Sequence, residues 1–154
     1  MEMYYKPNGR AGSRIVITDD MPAELQAVQR TIAAASGMLS VSGYSDRPAP
    51  SRFGIYTEKF TPVADGNGVV TGYTHSWEFR PFRIPLSQEK ILTDETVAPI
   101  LVQLIEQFSG DPELVSWWTS DCAYVRGSAI AARAMQILGL TQEELEAVVL
   151  RCRG

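Results

Sequence analysis

The stretch Ala64-Asp65-Gly66-Asn67-Gly68 constrains this chain more than any other. Its glycines and asparagine accept the left-handed backbone that tight turns need, and the segments on both sides alternate as strands do. The expectation is a long β-hairpin over about residues 52–84, made of Arg52 to Val63 and Val69 to Ile84. Along the second arm, successive side chains point to opposite faces. Val69, Thr71, Tyr73, His75, Trp77 and Phe79 share one face, and Val70, Gly72, Thr74, Ser76, Glu78 and Arg80 the other. An aromatic face backed by a mostly polar one describes a half-buried antiparallel strand. Closing the hairpin symmetrically about Gly66 sets Ile55 opposite Trp77, Phe53 opposite Phe79 and Arg52 opposite Arg80. It also sets Phe60 opposite Gly72, where a ring can cover a residue without a side chain. Lys59 and Thr57 then face Tyr73 and His75, and the tip with Asp65 and Asn67 projects past the core as a contact surface. Pro81 and Pro85 cannot donate to a ladder, so the arm is an edge there or is leaving the sheet.

Before the hairpin, Met3 to Tyr5 reads as a short strand that turns through Pro7-Asn8-Gly9 into a second around Ile15-Val16-Ile17. Gly9-Arg10-Ala11-Gly12-Ser13-Arg14 lacks the lysine that follows the second glycine of a phosphate-binding P-loop, which leaves a flexible basic turn whose Arg10 and Arg14 can meet an anionic surface. Asp19-Asp20-Met21-Pro22 starts a helix with Leu25, Val28 and Ile32 at helical spacing, closed by Gly37. Met38 to Tyr44 is a further strand, and the proline-rich 45–51 loop is too short for a domain linker.

Beyond Pro85 the period changes to helical. Thr93-Asp94-Glu95 opens a helix striped by Ile100, Leu101, Leu104, Ile105 and Phe108, and Asp111-Pro112-Glu113 opens the next, with Leu114, Val115, Trp117 and Trp118. Asp121 to Leu138 reads as a helix rich in small residues that stops at Gly139, and Thr141-Gln142-Glu143-Glu144 is a capping box that starts the last helix at Gln142. Strands first and helices afterwards describe a single α+β domain over 1–154. Its antiparallel sheet is built around the hairpin, with helices packed on one face and an all-helical C-terminal third.

Composition narrows the function classes. With 154 residues, 45% hydrophobic and 21% charged, the chain fits an ordinary globular domain. No apolar run approaches the ~20 residues of a membrane span, and the N-terminus lacks a signal-peptide core, so the expected location is cytoplasmic. Cys122 and Cys152 match no zinc or CxxC spacing, and no disulfide, metal or cofactor is expected. The net charge of −4 is concentrated, because residues 86–121 hold seven acidic groups and one basic group. Such a block repels phosphate backbones, which argues against direct nucleic-acid binding, and suits solubility or a basic partner.

Chemistry-bearing residues are sparse. His75 is the only histidine, and Glu78 lies on the opposite strand face from it, so no metal set forms there. A catalytic pair of Cys122 and His75 is the one nucleophile–base arrangement on offer, since the two need only meet in space. Glu58 and Glu78 share the polar face, but the symmetric register parts them by about 13 Å, too far for paired-carboxylate hydrolysis. Arg52, Arg80 and Arg83, with Arg47, gather at the proline-rich end to hold an anion, stack on Phe82 or meet the acidic block. Trp117 and Trp118 lie ~100° apart on their helix, so one can pack inside while the other reaches a partner.

The leading expectation is a small acidic non-enzymatic protein-binding module, an inhibitor, immunity or adaptor protein with the general look of phage or mobile-element inhibitors. Lys59, Asp65, Asn67, Tyr73, His75, Trp117 and Trp118 would form its contacts, with Arg52, Arg80 and Arg83 for an anion or the partner. The alternative is a small-ligand binder or enzyme with a deep apolar pocket between the aromatic sheet face and the helices, using Tyr73, His75, Trp77 or Cys122. Homodimerisation through the edge strand or the small-residue helix is compatible with either.

Overall fold

A computed structural model of the chain describes residues 1–9 and 12–154; Arg10, read above as part of a basic turn, lies outside the described residues. The chain is mixed α+β, and its contacts divide it into two compact units: Met1–Ala49 with Tyr56–Phe79, and Pro50–Ile55 with Arg80–Gly154.

The first unit is built on the hairpin. Strands β1 (Glu2–Lys6), β2 (Ser13–Ile17), β3 (Leu39–Ser42), β4 (Gly54–Ala64) and β5 (Val70–Pro81) form one sheet in the order β2-β1-β3-β5-β4. Pairing is antiparallel between β1 and β2 and between β1 and β3, whereas β3 runs parallel to β5, with Val41 beside Tyr73. The hairpin loop closes as the sequence demands. Gly68 N donates to Asp65 O at 3.1 Å, Asp65 N donates to Val69 O at 2.9 Å, and Gly68 sits at φ +78°. This is a three-residue loop with glycine in the left-handed position.

The register symmetric about Gly66 is not the one formed. At the tip the loop centres on Asn67 and not on Gly66, so the Val63 carbonyl, expected opposite Val69, accepts from Thr71 Oγ1, a shift of two that leaves the faces unchanged. Farther down, the Tyr56 ring meets Phe79 at 5.0 Å and the Phe60 ring meets His75 at 5.2 Å. Even positions of β4 therefore share a face with odd positions of β5, so the strands differ by one residue between the tip and the His75 level, as a β-bulge requires. Phe60 accordingly covers His75 and not Gly72, and Glu58 lies on the aromatic face, opposite to Glu78. In the second unit, Phe82 N donates to Phe53 O at 2.8 Å, three residues beyond the Phe79 expected there, so the Arg52–Arg80 pairing lapses too.

The sheet is strongly curled. Its outermost strands are β2 and β4, which would lie about 19 Å apart in a flat sheet. Yet Arg14 of β2 contacts the Glu58 carboxylate of β4 at 2.7 Å, and Tyr5 of β1 stacks on Phe60 of β4 with ring centroids 3.9 Å apart. The aromatic face is thus the inside of the curl. Helix α1 (Ala23–Ala35) lies on the other face, where Arg30 grips Glu2 at 2.6 Å and 3.1 Å. Ala33 is its one buried residue, and Leu25, Val28 and Ile32, the stripe expected to pack inward, are 42%, 52% and 46% exposed.

The second unit is helical apart from β6 (Ile84–Pro85) paired antiparallel with β7 (Ala123–Tyr124). The helix expected from Thr93 begins only at Leu101, and a short helix that was not expected ends at Thr93. Helix α2 (Gln88–Thr93) is capped by Ser87, Asp94 turns the chain and accepts from Thr96 N, a 3₁₀ turn over Ala98–Ile100 contains Pro99, and α3 (Leu101–Ser109) follows. Helix α4 (Pro112–Ser120) has the Asp111 cap read from the sequence. The small-residue helix α5 (Ala129–Leu138) starts later than expected, behind the Ser128 cap, and α6 (Gln142–Cys152) starts where its capping box places it, with Thr141 Oγ1 accepting from Glu144 N at 3.2 Å. Among the described residues, no helix is long and apolar enough to cross a membrane.

Candidate functional site

Helices α2 to α6, with Leu86 and β7, line a cavity of about 440 Å³ that is partly open to solvent. It exists because the elements around it supply apolar side chains toward a common centre but do not meet there. Leu104 and Phe108 come from α3, Leu114 and Trp117 from α4, Ile130 and Ala134 from α5. The small residues of α5 leave space where larger ones would close it, and α3 has no buried residue of its own, although its Leu101, Leu104, Ile105 and Phe108 line the cavity. The volume falls within the range of pockets that hold small molecules.

Most of the few polar atoms of the wall are engaged within the frame. Ser109 Oγ donates to Ile105 O, Ser128 Oγ accepts from Ala131 N, and Tyr124 OH donates to Glu146 Oε1 at 2.8 Å. Cys152 Sγ approaches Asp94 Oδ2 at 3.8 Å, and burial, with the Asp94 charge beside it, pushes its thiol up to about 11. Behind this lining lie two buried acids. Glu146 takes both Arg126 nitrogens, Nε at 2.6 Å and Nη2 at 2.7 Å, and Arg126 also lies over the Phe53 ring, 5.2 Å from its centroid. Asp94 is held by Arg151, whose hydrogen bonds keep its carboxyl below the usual range despite burial. Burial and then Glu146 raise the Tyr124 phenol. These groups orient the frame and offer nothing to a ligand.

In the sheet unit, the curl converges on His75. Its side chain is fully buried, with the rings of Tyr44, Phe60 and Trp77 at 4.9, 5.2 and 5.4 Å. Nε2 meets Glu58 Oε2 at 2.9 Å, and since a carboxylate only accepts, Nε2 carries the shared proton. Burial pushes the Glu58 carboxyl up, but the hydrogen bonds from His75 and Arg14 together outweigh it and hold it below the usual range. The other nitrogen, Nδ1, has no partner, an arrangement that costs about 1–3 kcal/mol.

The residues expected to make one contact surface are distributed over the molecule. Lys59, Asp65 and Asn67 are exposed on the hairpin, where Asp65 Oδ1 is occupied by the backbone N–H groups of Asn67 and Val69 at 2.8 and 3.0 Å. Tyr73 and His75 lie inside the curl, Tyr73 edge-on to Tyr5 at 5.0 Å. A partner-facing His75 is therefore replaced by a core histidine. Trp117 and Trp118 line the cavity, and Trp117 Nε1 donates to Ala123 O at 2.8 Å. Trp77 Nε1 donates to Ser45 O at 2.9 Å. Of the arginines, Arg83 does meet the acidic block, through Asp121, while Arg52 and Arg80 are exposed.

Cys122 and His75 belong to different units, and burial followed by the Asp121 charge raises the Cys122 thiol, the reverse of an activated nucleophile. Both cysteines are free, and no group of three or more potential metal ligands occurs among the described residues. The sequence reading looked for a pocket bordered by the aromatic strand face and missed this one, although Leu104, Phe108, Trp117, Ile130 and Ala134 had all been placed on helices. The available signal was the abundance of small residues in α5, beside helices whose apolar stripes face inward. Compared with known proteins, the chain matches no protein-family model, no curated protein and no solved structure.

Proposed function

We propose that the protein is a binding protein for a small apolar molecule, held in the cavity of the helical unit. The observation that carries this reading is a hollow of about 440 Å³ whose wall is almost wholly apolar. An apolar wall left open to water is costly, because its surface is hydrated where it could be in contact with other apolar atoms. A ligand restores those contacts. The test is titration of the intact chain with 1-dodecanol, followed by tryptophan fluorescence and native mass spectrometry. Saturable uptake of one equivalent is expected, and its loss in Ala134→Phe, which fills the cavity, with unfolding still cooperative. Absence of uptake by the unmodified chain overturns the reading.

A second reading, a module that occupies a partner protein's surface, takes its support from α1. Leu25, Val28 and Ile32 form one exposed apolar stripe on that helix, suited to an apolar groove on a partner. Capture of a stoichiometric partner that is abolished by Val28→Glu with Ile32→Glu, in a variant whose melting is unchanged, would support it; capture indifferent to those changes would remove it.

A further inference from the structure

We infer that the cavity selects ring-bearing ligands without negative charge, a conclusion that rests on the ligand-binding reading and adds the chemical class. Phe108, Trp117 and Trp118 form a triad in its wall, with ring centroids 6.2, 6.3 and 6.4 Å apart. The separations and the tilted and edge-on angles are those of rings packed by their quadrupoles. Trp117 is fixed by its bond to Ala123 O, so one end of the cavity presents a rigid aromatic surface against which a planar ring can stack, in contrast to the branched aliphatic wall supplied by α5 and α6.

Charge is decided by what the wall lacks. Among the described residues, no lysine, arginine or histidine lines the cavity, so an anionic head drawn inside finds no counter-charge. The hydroxyls of Ser109 and Tyr124 already donate to Ile105 O and Glu146. Lys90, on α2 beside the lining residue Ile91, turns its ammonium to Arg153 O at 2.7 Å. Of the seven acidic groups in the segment that contributes α2 to α4, Asp94, Asp111, Glu113 and Asp121 are paired with arginines, so the charge preference rests on the wall itself. Aromatic faces add to the same preference, since they attract cations.

The probes are N-phenyl-1-naphthylamine, its sulfonated counterpart 8-anilinonaphthalene-1-sulfonate, and 1-dodecanol, each titrated into the full chain at one ionic strength. The neutral naphthylamine is expected to bind about tenfold or more tightly than the sulfonate, because burying an unpaired anion costs more than a kilocalorie. Trp118→Leu with Phe108→Leu should reduce the ratio of naphthylamine to alcohol affinity about fivefold. Equal or tighter binding of the sulfonate overturns the inference, as does a double variant that loses alcohol and naphthylamine alike. If the unmodified chain binds none of the three, the ligand-binding reading itself has failed. If the double variant does not fold cooperatively, the sulfonate comparison on the unmodified chain decides alone.

Discussion

The two units handle their interiors in opposite ways. The sheet unit fills its curl with rings and places one polar side chain, His75, among them, with one nitrogen paired and one not. The helical unit buries its acids behind the wall, each matched to an arginine, and leaves apolar space at the centre. A polar group inside a full core restricts packing to one arrangement and costs stability when imperfectly satisfied. An apolar hollow has the reverse character: it leaves apolar surface to water and accepts a guest. The difference teaches that one interior is organised around a histidine among rings, and that the candidate for binding is the unit whose wall is apolar.

The contrast can be broken most strongly at Glu146. Glu146→Ala leaves Arg126 charged and Tyr124 without its acceptor in a buried setting, and a loss of about 3–5 kcal/mol is expected in urea unfolding. A loss below about 1 kcal/mol would mean that the pair is solvated and the helical frame is not held by it.

A smaller effect is expected from Gly12→Ala in the sheet unit. A Cβ at that position would stand 1.8 Å from the Tyr5 ring, which is stacked on Phe60, so the ring must move and the curl with it. The expected cost is about 1–3 kcal/mol. Hydrogen-exchange protection should fall in β1 and β4 while α6 is unaffected; equal loss in both would show that the two regions unfold together.

Acid sharpens the comparison because both units carry carboxylates whose folded pKa is depressed, Glu2, held down to about 2 by Arg30, and Glu58 in the sheet unit, and Asp94 in the helical unit. A depressed folded value means that the stabilisation is complete above the unfolded pKa, 4.5 for Glu58 and 3.8 for Asp94, and is lost as pH falls through the folded values. Melting temperature should therefore decline as pH drops below about 5. Asp94→Asn should flatten the decline for probes in the helical unit alone, and a decline of unchanged slope would assign the acid sensitivity to other groups.

The smallest effect is expected for Arg14→Gln. The pair that joins β2 to β4 is half exposed on the arginine side, so its removal should cost about 1 kcal/mol or less. A larger loss would make that ion pair, and not the Tyr5–Phe60 stack, the main closure of the curl.

The positions where local chemistry is decisive were readable from the chain alone. Asp65 to Gly68 makes the turn, Asp111 and Thr141 cap their helices, and strands precede helices, because capping groups and left-handed glycines act within four residues of their own backbone. Symmetry about the loop failed for His75 because a single bulged residue exchanges the faces of a strand, and nothing near residue 66 records it. Glu58 thereby moved from a solvated face to the side of His75. Tertiary structure alone also decided that Leu25, Val28 and Ile32 point outward, that sheet edges meet through Arg14 and Glu58, and that the apolar stripes of the helices stop short of one another around a hollow. Periodicity says which side of an element is apolar; whether that side finds a partner depends on volumes contributed by distant segments, which the order of residues in any one segment does not contain.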